Sequence, residues 1–223
     1  MKTMEKEEVK RQKKKKCLKP STLTRYLHLL TWNKTLQCWT FNIPAGVTCA
    51  GASPWCAKYC YGKKGNWTFK HTKASIDRKL TVTLDPETFM ERLSFELDKI
   101  VENGFNVVRI HSNGDFYSVD YFRTWLDIAR KHKEITFFCY TKQWRIEGWY
   151  EILKESSRIR NFHVMCSYDD TMDSRPKRWM RIASISDNWD EVTCKKQLDK
   201  SESCATCKIC FDPKEKRVVF YPH

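Results

Sequence analysis

Three cysteines lie within twelve residues in the first third of the chain. Cys49, Cys56 and Cys60 follow the pattern C-x6-C-x3-C. Three thiolates leave one position of a tetrahedral zinc site unfilled. They can hold three irons of a cubane [4Fe–4S] cluster, with the fourth iron open to a small molecule, and the spacing predicts such an open cluster. Two alternatives stay open: a structural zinc site completed by Cys38 or Cys166, and thiols that bind no metal.

A second group of four cysteines lies near the C-terminal end. Cys194, Cys204, Cys207 and Cys210 follow C-x9-C-x2-C-x2-C within seventeen residues. Four thiolates complete a site, so this group predicts a closed centre that is structural or relays electrons and that helps the C-terminus to fold. The close triplet resembles the loops that bind [4Fe–4S] clusters in bacterial ferredoxins. Zinc is the alternative, although four-cysteine zinc sites usually contain two separate C-x2-C pairs.

Helical and strand patterns alternate through the middle of the chain. Strands are predicted to begin near Asn106, Ile135 and Phe162, with amphipathic helices between them. This rhythm requires a mostly parallel sheet with helices packed outside it. We therefore expect an α/β fold, a partial or open (β/α) barrel of about five to six mostly parallel strands with a C-terminal Cys-rich metal-binding segment. We also expect one strand that ends near Ile43 and a last helix over residues 175–185.

Three of the predicted strands end in polar residues, in the segments HSNGD, YTKQ and SYDD. Ligands bind at the carboxyl ends of strands in parallel α/β folds, and the first cysteine loop also follows a strand. The loop and these strand ends should therefore form one rim. The candidate cofactor-binding residues there are Tyr59, His111, Ser112, Asn113, Gly114, Asp115, Tyr140, Lys142 and Ser167, with Asp169 beside them. The alternatives are a tight turn for HSNGD, a structural histidine and a solvated lysine.

These segments carry two resemblances. A three-cysteine loop after the first strand of a partial barrel, with Tyr59 before the third cysteine, resembles the radical S-adenosylmethionine (radical SAM) enzymes, whose usual spacing is C-x3-C-x2-C. The segments CAGASPWCAKYCYGKKG, RIHSNGDFYSVDYFRTWLDIA and FFCYTK resemble the phage gene product 88 family of uncharacterised proteins, roughly over residues 35–215.

The radical SAM resemblance implies a cofactor and a chemistry. The open iron would bind the amino and carboxylate groups of S-adenosylmethionine, and an electron donor would drive cleavage of a carbon–sulfur bond to a 5′-deoxyadenosyl radical. The HSNGD segment would contact the methionine amino group, with Asp115 or the carbonyls near Ser112 as acceptors and Gly114 allowing a close approach.

The charge of the chain predicts a different class of partner. The formal net charge is +14, and residues 1–16 contain eight Lys or Arg against three Glu. Such a field attracts nucleic acid or another polyanion. The second hypothesis is therefore a zinc-stapled, basic nucleic-acid-binding protein of a phage or mobile element without turnover. The sequence does not decide whether the chain is an enzyme, and it specifies neither a substrate nor an oligomeric state.

The arrangement of the chain predicts three regions and a compartment. We expect a disordered basic tail over residues 1–20, a partial barrel over residues 21–190 and a Cys-rich segment over residues 191–223. No signal peptide pattern and no apolar run of about 18 residues is present. Eleven clustered cysteines fit a reducing compartment, so we expect a cytoplasmic protein with no membrane partner.

Overall fold

The computed structural model describes residues 17–185, 192–199 and 201–221. Its strands form one seven-stranded sheet in which each strand lies beside the next one along the chain. The strands are β1 (Thr31–Asn33), β2 (Cys38–Phe41), β3 (Val107–Ile110), β4 (Thr136–Thr141), β5 (Phe162–Tyr168), β6 (Ile182–Ile185) and β7 (Arg217–Phe220). β1 is antiparallel to β2, and all the other pairs are parallel. The sheet is open in the described chain, with β1 and β7 at the two ends of the strand order.

Eight α-helices and four short 3₁₀ helices accompany these strands in the described residues. The α-helices are α1 (Pro20–Leu23), α2 (Pro54–Tyr59), α3 (Lys70–Thr83), α4 (Pro86–Glu102), α5 (Val119–Lys131), α6 (Tyr150–Ser156), α7 (Lys195–Leu198) and α8 (Cys204–Cys207). The 3₁₀ helices are Tyr61–Lys63, Gly65–Thr68, Gln143–Arg145 and Ile209–Phe211. The helices α4, α5 and α6 connect successive parallel strands, which is the predicted β–α alternation.

The mostly parallel α/β fold is confirmed, but the predicted number of strands was too low. The segment expected to be one strand is a hairpin, because Gln37 adopts a left-handed φ of 49° and reverses the chain between β1 and β2. The helix expected over residues 175–185 was wrong. Residues 175–181 form turns and irregular chain, and Ile182–Ile185 instead pairs with both β5 and β7 as a strand with buried central residues.

The two faces of the sheet are covered by different parts of the chain. One face packs against α4, α5 and α6, and its side chains include Trp39, Val108, Phe137 and Phe162. The opposite face packs against the C-terminal segment. Its apolar side chains are Cys38, Phe138, Met165, Ala183 and Val218, in contact with Ile209 and Phe211. The alternation of side chains along each strand assigns neighbouring residues to these two different layers.

The helix α4 anchors the N-terminal part of the described chain. Asp85 caps its first turn, and Phe89, Leu93, Leu97 and Ile100 are completely buried along one face, as the sequence predicted. On another side of the helix, the buried carboxylate of Glu96 accepts hydrogen bonds from the backbone N–H groups of His28, Leu29 and Leu30 at 2.7–3.1 Å. This carboxylate fixes the segment that leads into β1.

The predicted basic tail lies mostly outside the described residues, which begin at Cys17. The first tertiary hydrogen bond along the described chain runs from the Leu18 backbone N–H to Asn103 Oδ1, 2.6 Å away. Within the described ranges, no helix is both long and apolar enough to cross a membrane.

Candidate functional site

The first cysteine loop is held by contacts with the carboxyl ends of three strands. Thr48 Oγ1 accepts from the backbone N–H of Asp115, which follows β3, at 3.2 Å. A Cβ on Gly51 would lie 2.3 Å from the carbonyl oxygen of Lys142, which follows β4, so only glycine fits there. Beyond β5, Asp169 accepts the Ser53 hydroxyl at 2.5 Å. The loop therefore lies across the rim where ligands bind in parallel α/β folds.

The short helix α2 orients two of the three thiols. Ser53 caps it by accepting from the Cys56 backbone N–H at 3.1 Å, and Pro54 occupies its first turn. Cys56 lies inside the helix and Cys60 is its C-terminal cap residue. Cys49 stands before the helix and donates its backbone N–H to the Gly46 carbonyl.

The three thiols of this loop are half-buried and influence one another. Burial raises the pKa of the Cys49 thiol to about 11, and Cys56 adds to that rise. Burial also raises the pKa of Cys56, where Cys60 acts in the same direction and the Lys142 ammonium opposes it. A metal bound here must displace protons from these thiols, so metal binding should weaken as the pH falls.

Asp115 ties the end of β3 to the end of β4. Its two carboxylate oxygens accept from the Phe116 N–H at 2.8 Å, the Thr141 hydroxyl at 2.7 Å and the Lys142 N–H at 2.9 Å. Burial raises its pKa to about 6 despite these hydrogen bonds. The Asp115 carboxylate therefore joins two strand ends at the rim. A ligand bound to this carboxylate must share its oxygens with these three donors.

The turn from His111 to Gly114 is locked against the end of β2. His111 has a left-handed φ of 60°, and a Cβ on Gly114 would lie 2.6 Å from the Ile43 carbonyl oxygen. Asn42 Oδ1 accepts from the backbone N–H groups of Ser112 at 2.7 Å and Asn113 at 3.1 Å. Asn42 was not among the predicted residues, although a polar residue at the end of a buried strand was a signal for such a role.

Several polar atoms of this turn are buried without a hydrogen-bond partner in the described chain. They are His111 Nδ1, Ser112 Oγ and Asn113 Oδ1. Burial and the nearby positive charge of Arg109 lower the pKa of His111 to about 3, so its ring is neutral, with Nε2 2.9 Å from the Tyr121 hydroxyl. Buried polar atoms without partners are rare in folded proteins and indicate a missing ligand or water.

A cavity of about 250 Å³ lies beside the turn and the chain that follows Cys60. Its lining includes Pro44, Gly62, Lys63, Trp67, Lys73 and Asn113. Gly62 approaches Asn113 so closely that a Cβ on Gly62 would lie 1.9 Å from Asn113 Oδ1. The cavity therefore joins the cysteine loop to the turn of predicted ligand-binding residues.

The remaining predicted residues are more dispersed. Tyr59 is exposed, and its ring packs at a tilt of 44° against that of Trp55, with ring centroids 5.3 Å apart. Ser167 uses its carbonyl to accept from Trp144 Nε1 at 2.9 Å. Tyr140 turns to the sheet face covered by the C-terminal segment, where its ring lies 5.6 Å from that of Phe220.

The second cysteine group lies on that same sheet face. Cys204 and Cys207 begin and end α8, which is capped by Ser203 and Thr206, and Cys210 follows after Lys208, a left-handed residue with φ of 58°. Burial raises the pKa values of Cys204 and Cys210 to about 12, and Cys194 raises both further. The four predicted ligands are thus gathered at one place in the fold.

The spacing of the thiols bears on the kind of metal that each group fits. A tetrahedral zinc site needs sulfurs about 3.8 Å apart, from a Zn–S bond of about 2.3 Å. In the described ranges, no three cysteine sulfurs all lie within 4.8 Å of one another. The described residues therefore contain no preformed set of three thiols at the spacing of a tetrahedral zinc site.

Histidine and carboxylate side chains do come together elsewhere in the described chain. His132 Nδ1 lies 3.5 Å from Asp98 and 3.4 Å from Glu134, at the C-terminal end of α5. Both carboxylates are largely exposed and the histidine is buried, so this is a polar contact at the edge of the fold, and exposed acidic groups commonly form such contacts without a metal. This cluster was not among the predicted sites.

The comparisons with known proteins give one family. The model of the Gene product 88 family matches residues 5–219. The chain belongs to this family. Its relatives include the Gene 88 proteins of Mycobacterium phage L5, 25% identical over 197 residues (74% of this chain and 78% of the relative), and of phage D29, 24% identical over 204 residues (78% and 82%). No solved structure matches the chain. The resemblance to the gene product 88 family is confirmed.

Proposed function

We propose that this Gene product 88 protein is an iron–sulfur protein that resembles radical SAM enzymes. Cys49, Cys56 and Cys60 would hold a [4Fe–4S] cluster with one open iron, and Cys194, Cys204, Cys207 and Cys210 would hold a second, closed cluster. The observation that carries the proposal is the position of the three-thiol loop, which lies across the carboxyl ends of β3, β4 and β5. Such a rim is where parallel α/β folds bind ligands.

The open iron needs a ligand of matching chemistry. When bound, the cluster would supply an electron for the reductive cleavage of S-adenosylmethionine. The chain would supply the surroundings: Ser112 Oγ and Asn113 Oδ1 are buried acceptors without partners, suited to an ammonium group. The neutral ring of His111 adds no positive charge that would repel it. The substrate class remains nucleic acid or a nucleotide, consistent with a chain of +14 formal charge.

The proposal implies two conditions for the protein in the cell. A cluster with an exposed iron corner is attacked by oxygen, and free thiols persist only in a reducing compartment. We therefore propose a cytoplasmic location and a separate electron donor.

The second candidate is a zinc-stapled, basic protein that binds nucleic acid without turnover. The observation that favours it is the group of exposed lysines on and around the first cysteine loop, which comprises Lys58, Lys63, Lys64, Lys70 and Lys73. Clustered lysines attract phosphate backbones. In that case the two cysteine groups would be purely structural.

Anaerobic purification with metal analysis separates the two candidates. The iron–sulfur proposal predicts a brown protein with about eight irons per chain. Its reduced electron paramagnetic resonance (EPR) spectrum should change when S-adenosylmethionine is added. The variant Cys56→Ala should lose the response and about four irons, whereas Cys17→Ala, which removes an exposed thiol outside both groups, should retain both. A colourless protein with zinc and no response would reject the proposal in favour of the second candidate.

A further inference from the structure

Arg109 places a positive charge on the sheet face that carries the C-terminal cysteines. It lies in β3 between Val108 and Ile110, whose side chains are completely buried on the helix-covered face. The alternation of the strand therefore directs Arg109 to the opposite face. An arginine in the middle of an otherwise apolar strand was a signal in the sequence, but Arg109 was not among the predicted site residues.

The guanidinium of Arg109 has no anionic partner among the described side chains. Its Nε is buried and makes no hydrogen bond, and no carboxylate of the described residues forms an ion pair with it. The group lies over the ring of Tyr140, with Cζ 4.9 Å from the centroid. The residue as a whole is half-buried, and a charge partly removed from water without an opposite charge is costly, so an anion would complete this site.

The acidic groups around Arg109 are thiols and phenols. The pairing of β2 with β3 places Thr40 beside Arg109 and Cys38 diagonally next to it on the same face. Electrostatic interactions also connect Arg109 to Cys204 and to Tyr61, which follows the last cysteine of the first loop. Arg109 therefore lies between the two cysteine groups and is coupled more extensively to the C-terminal one, through Cys194, Cys204 and Cys210.

Another arginine on this face has a different role. Arg181 donates hydrogen bonds to the backbone carbonyls of Ile209, Asp212 and Glu215 at 2.8–3.3 Å. These bonds hold the C-terminal segment and occupy Nε and Nη2 of Arg181. Among the described residues Arg109 makes no such bond to the C-terminal segment, so attachment of that segment does not explain its presence.

We propose that Arg109 is the counter-ion of the C-terminal thiolate–metal centre, and that its charge sets both the stability and the reduction potential of that centre. The proposal rests on the proposed function, because it requires a metal at Cys194, Cys204, Cys207 and Cys210. A thiolate-bound cubane carries net negative charge, and a nearby cation favours the state with one more electron. Arg109 acts here as a positioning and tuning residue, with no contact to a substrate.

The test measures the C-terminal centre by itself, in the full chain with Cys49, Cys56 and Cys60 all changed to Ala. The reductant is dithionite, which gives one electron to the cluster and is oxidised, and the midpoint is followed by EPR under anaerobic conditions. In this background Arg109→Met should shift the midpoint to a more negative potential and accelerate iron loss to a chelator. Arg109→Lys should restore most of both properties, because it keeps the charge.

The matched control is Arg175→Met. Arg175 also lies over a tyrosine ring, that of Tyr168 at 5.5 Å, but it is exposed and donates from Nε to the Tyr168 hydroxyl at 3.1 Å. This variant should leave the midpoint and the iron content unchanged. If Arg109→Met does not fold, Arg109→Gln provides the neutral variant with a polar head.

The outcomes separate this proposal from the proposed function. If the background protein binds zinc instead of iron, the proposed function fails. The inference then predicts that Arg109→Met weakens zinc binding about 10- to 100-fold and that Arg109→Lys retains most of the affinity. A neutral variant with the parent's metal affinity and midpoint overturns the inference while the iron–sulfur centre stands. A background protein that binds no metal overturns both.

Discussion

The Ser53 hydroxyl donates to Asp169 Oδ2 over 2.5 Å, across 116 residues of sequence. The same hydroxyl caps α2 by accepting from the Cys56 backbone N–H. Asp169 Oδ1 meanwhile accepts from the hydroxyl and the backbone N–H of Thr171. One buried carboxylate at the end of β5 thus fixes the helix that carries a predicted metal ligand.

The variant Asp169→Ala should release this loop. Loss of the buried hydrogen bonds should lower the free energy of unfolding by about 1–3 kcal/mol. Iron content should fall from about eight towards about four per chain, because only the first group loses its support. Anaerobic iron analysis and urea unfolding measure both effects. The control is Asp170→Ala, which removes the exposed neighbouring carboxylate. Full iron content in Asp169→Ala would show that the loop holds its metal without this anchor.

The variant Cys207→Ala should destabilise the C-terminal segment. A centre with four protein ligands contributes its binding free energy directly to folding. We therefore expect a lower melting temperature and loss of about four irons or of one zinc. Cys17→Ala removes an exposed thiol outside both groups and serves as the control. Unchanged metal content and melting in Cys207→Ala would mean that the four cysteines form no centre.

Local patterns were sufficient to predict α4 and the parallel pairing of the strands on either side of it in the chain. The cap at Asp85 and the apolar spacing of Phe89, Leu93 and Leu97 are properties of adjacent residues. The strand β6 was missed because four residues carry too little periodicity, and its stability comes from pairing with β5 and β7.

Long-range contacts explain what the sequence could not indicate about the site. The loop and the strand ends were predicted to meet because the carboxyl-end rule depends only on topology. The role of Asn42 depends on a turn 70 residues further along the chain, and that of Arg109 depends on which face of the sheet the C-terminal segment covers. Nothing in the order of the residues specifies that choice, since both faces of the parallel strands are apolar.

Lys79 should give the protein a stability that rises with pH in alkaline solution. Burial lowers its pKa from 10.5 to about 8, although the Glu96 carboxylate opposes the change, and its Nζ donates to Thr31 Oγ1 at 2.9 Å. Between these two values the folded chain binds fewer protons than the unfolded chain, so stability increases as the pH rises through this range. The gain is up to about 3 kcal/mol.

Urea unfolding at pH 7.5 and pH 10 tests this effect. Lys79→Met should lack this part of the pH dependence, whereas Lys70→Met, which changes an exposed lysine of the same helix, should retain it. Parallel pH profiles for the wild type and Lys79→Met would contradict the assignment.

Asp115→Ala tests whether the rim holds S-adenosylmethionine. The carboxylate lies beside Cys49 and Cys56 and already accepts three hydrogen bonds, so its removal should lower the melting temperature. Iron content should persist, since the thiols and not the aspartate are predicted to hold the cluster. The change that S-adenosylmethionine causes in the EPR spectrum should require about 10- to 100-fold more of the cofactor, the equivalent of one hydrogen bond to a charged group.

Thr141→Val is the matched control for Asp115→Ala. It removes one of the hydrogen bonds that hold the carboxylate but keeps the carboxylate itself. It should therefore reproduce part of the loss in melting temperature while the EPR response stays close to that of the wild type. An unaltered response in Asp115→Ala would exclude the aspartate from the cofactor site. Loss of iron in Asp115→Ala, with full iron in Thr141→Val, would instead make Asp115 a fourth ligand and the first centre a closed one, because no iron corner would remain open to S-adenosylmethionine.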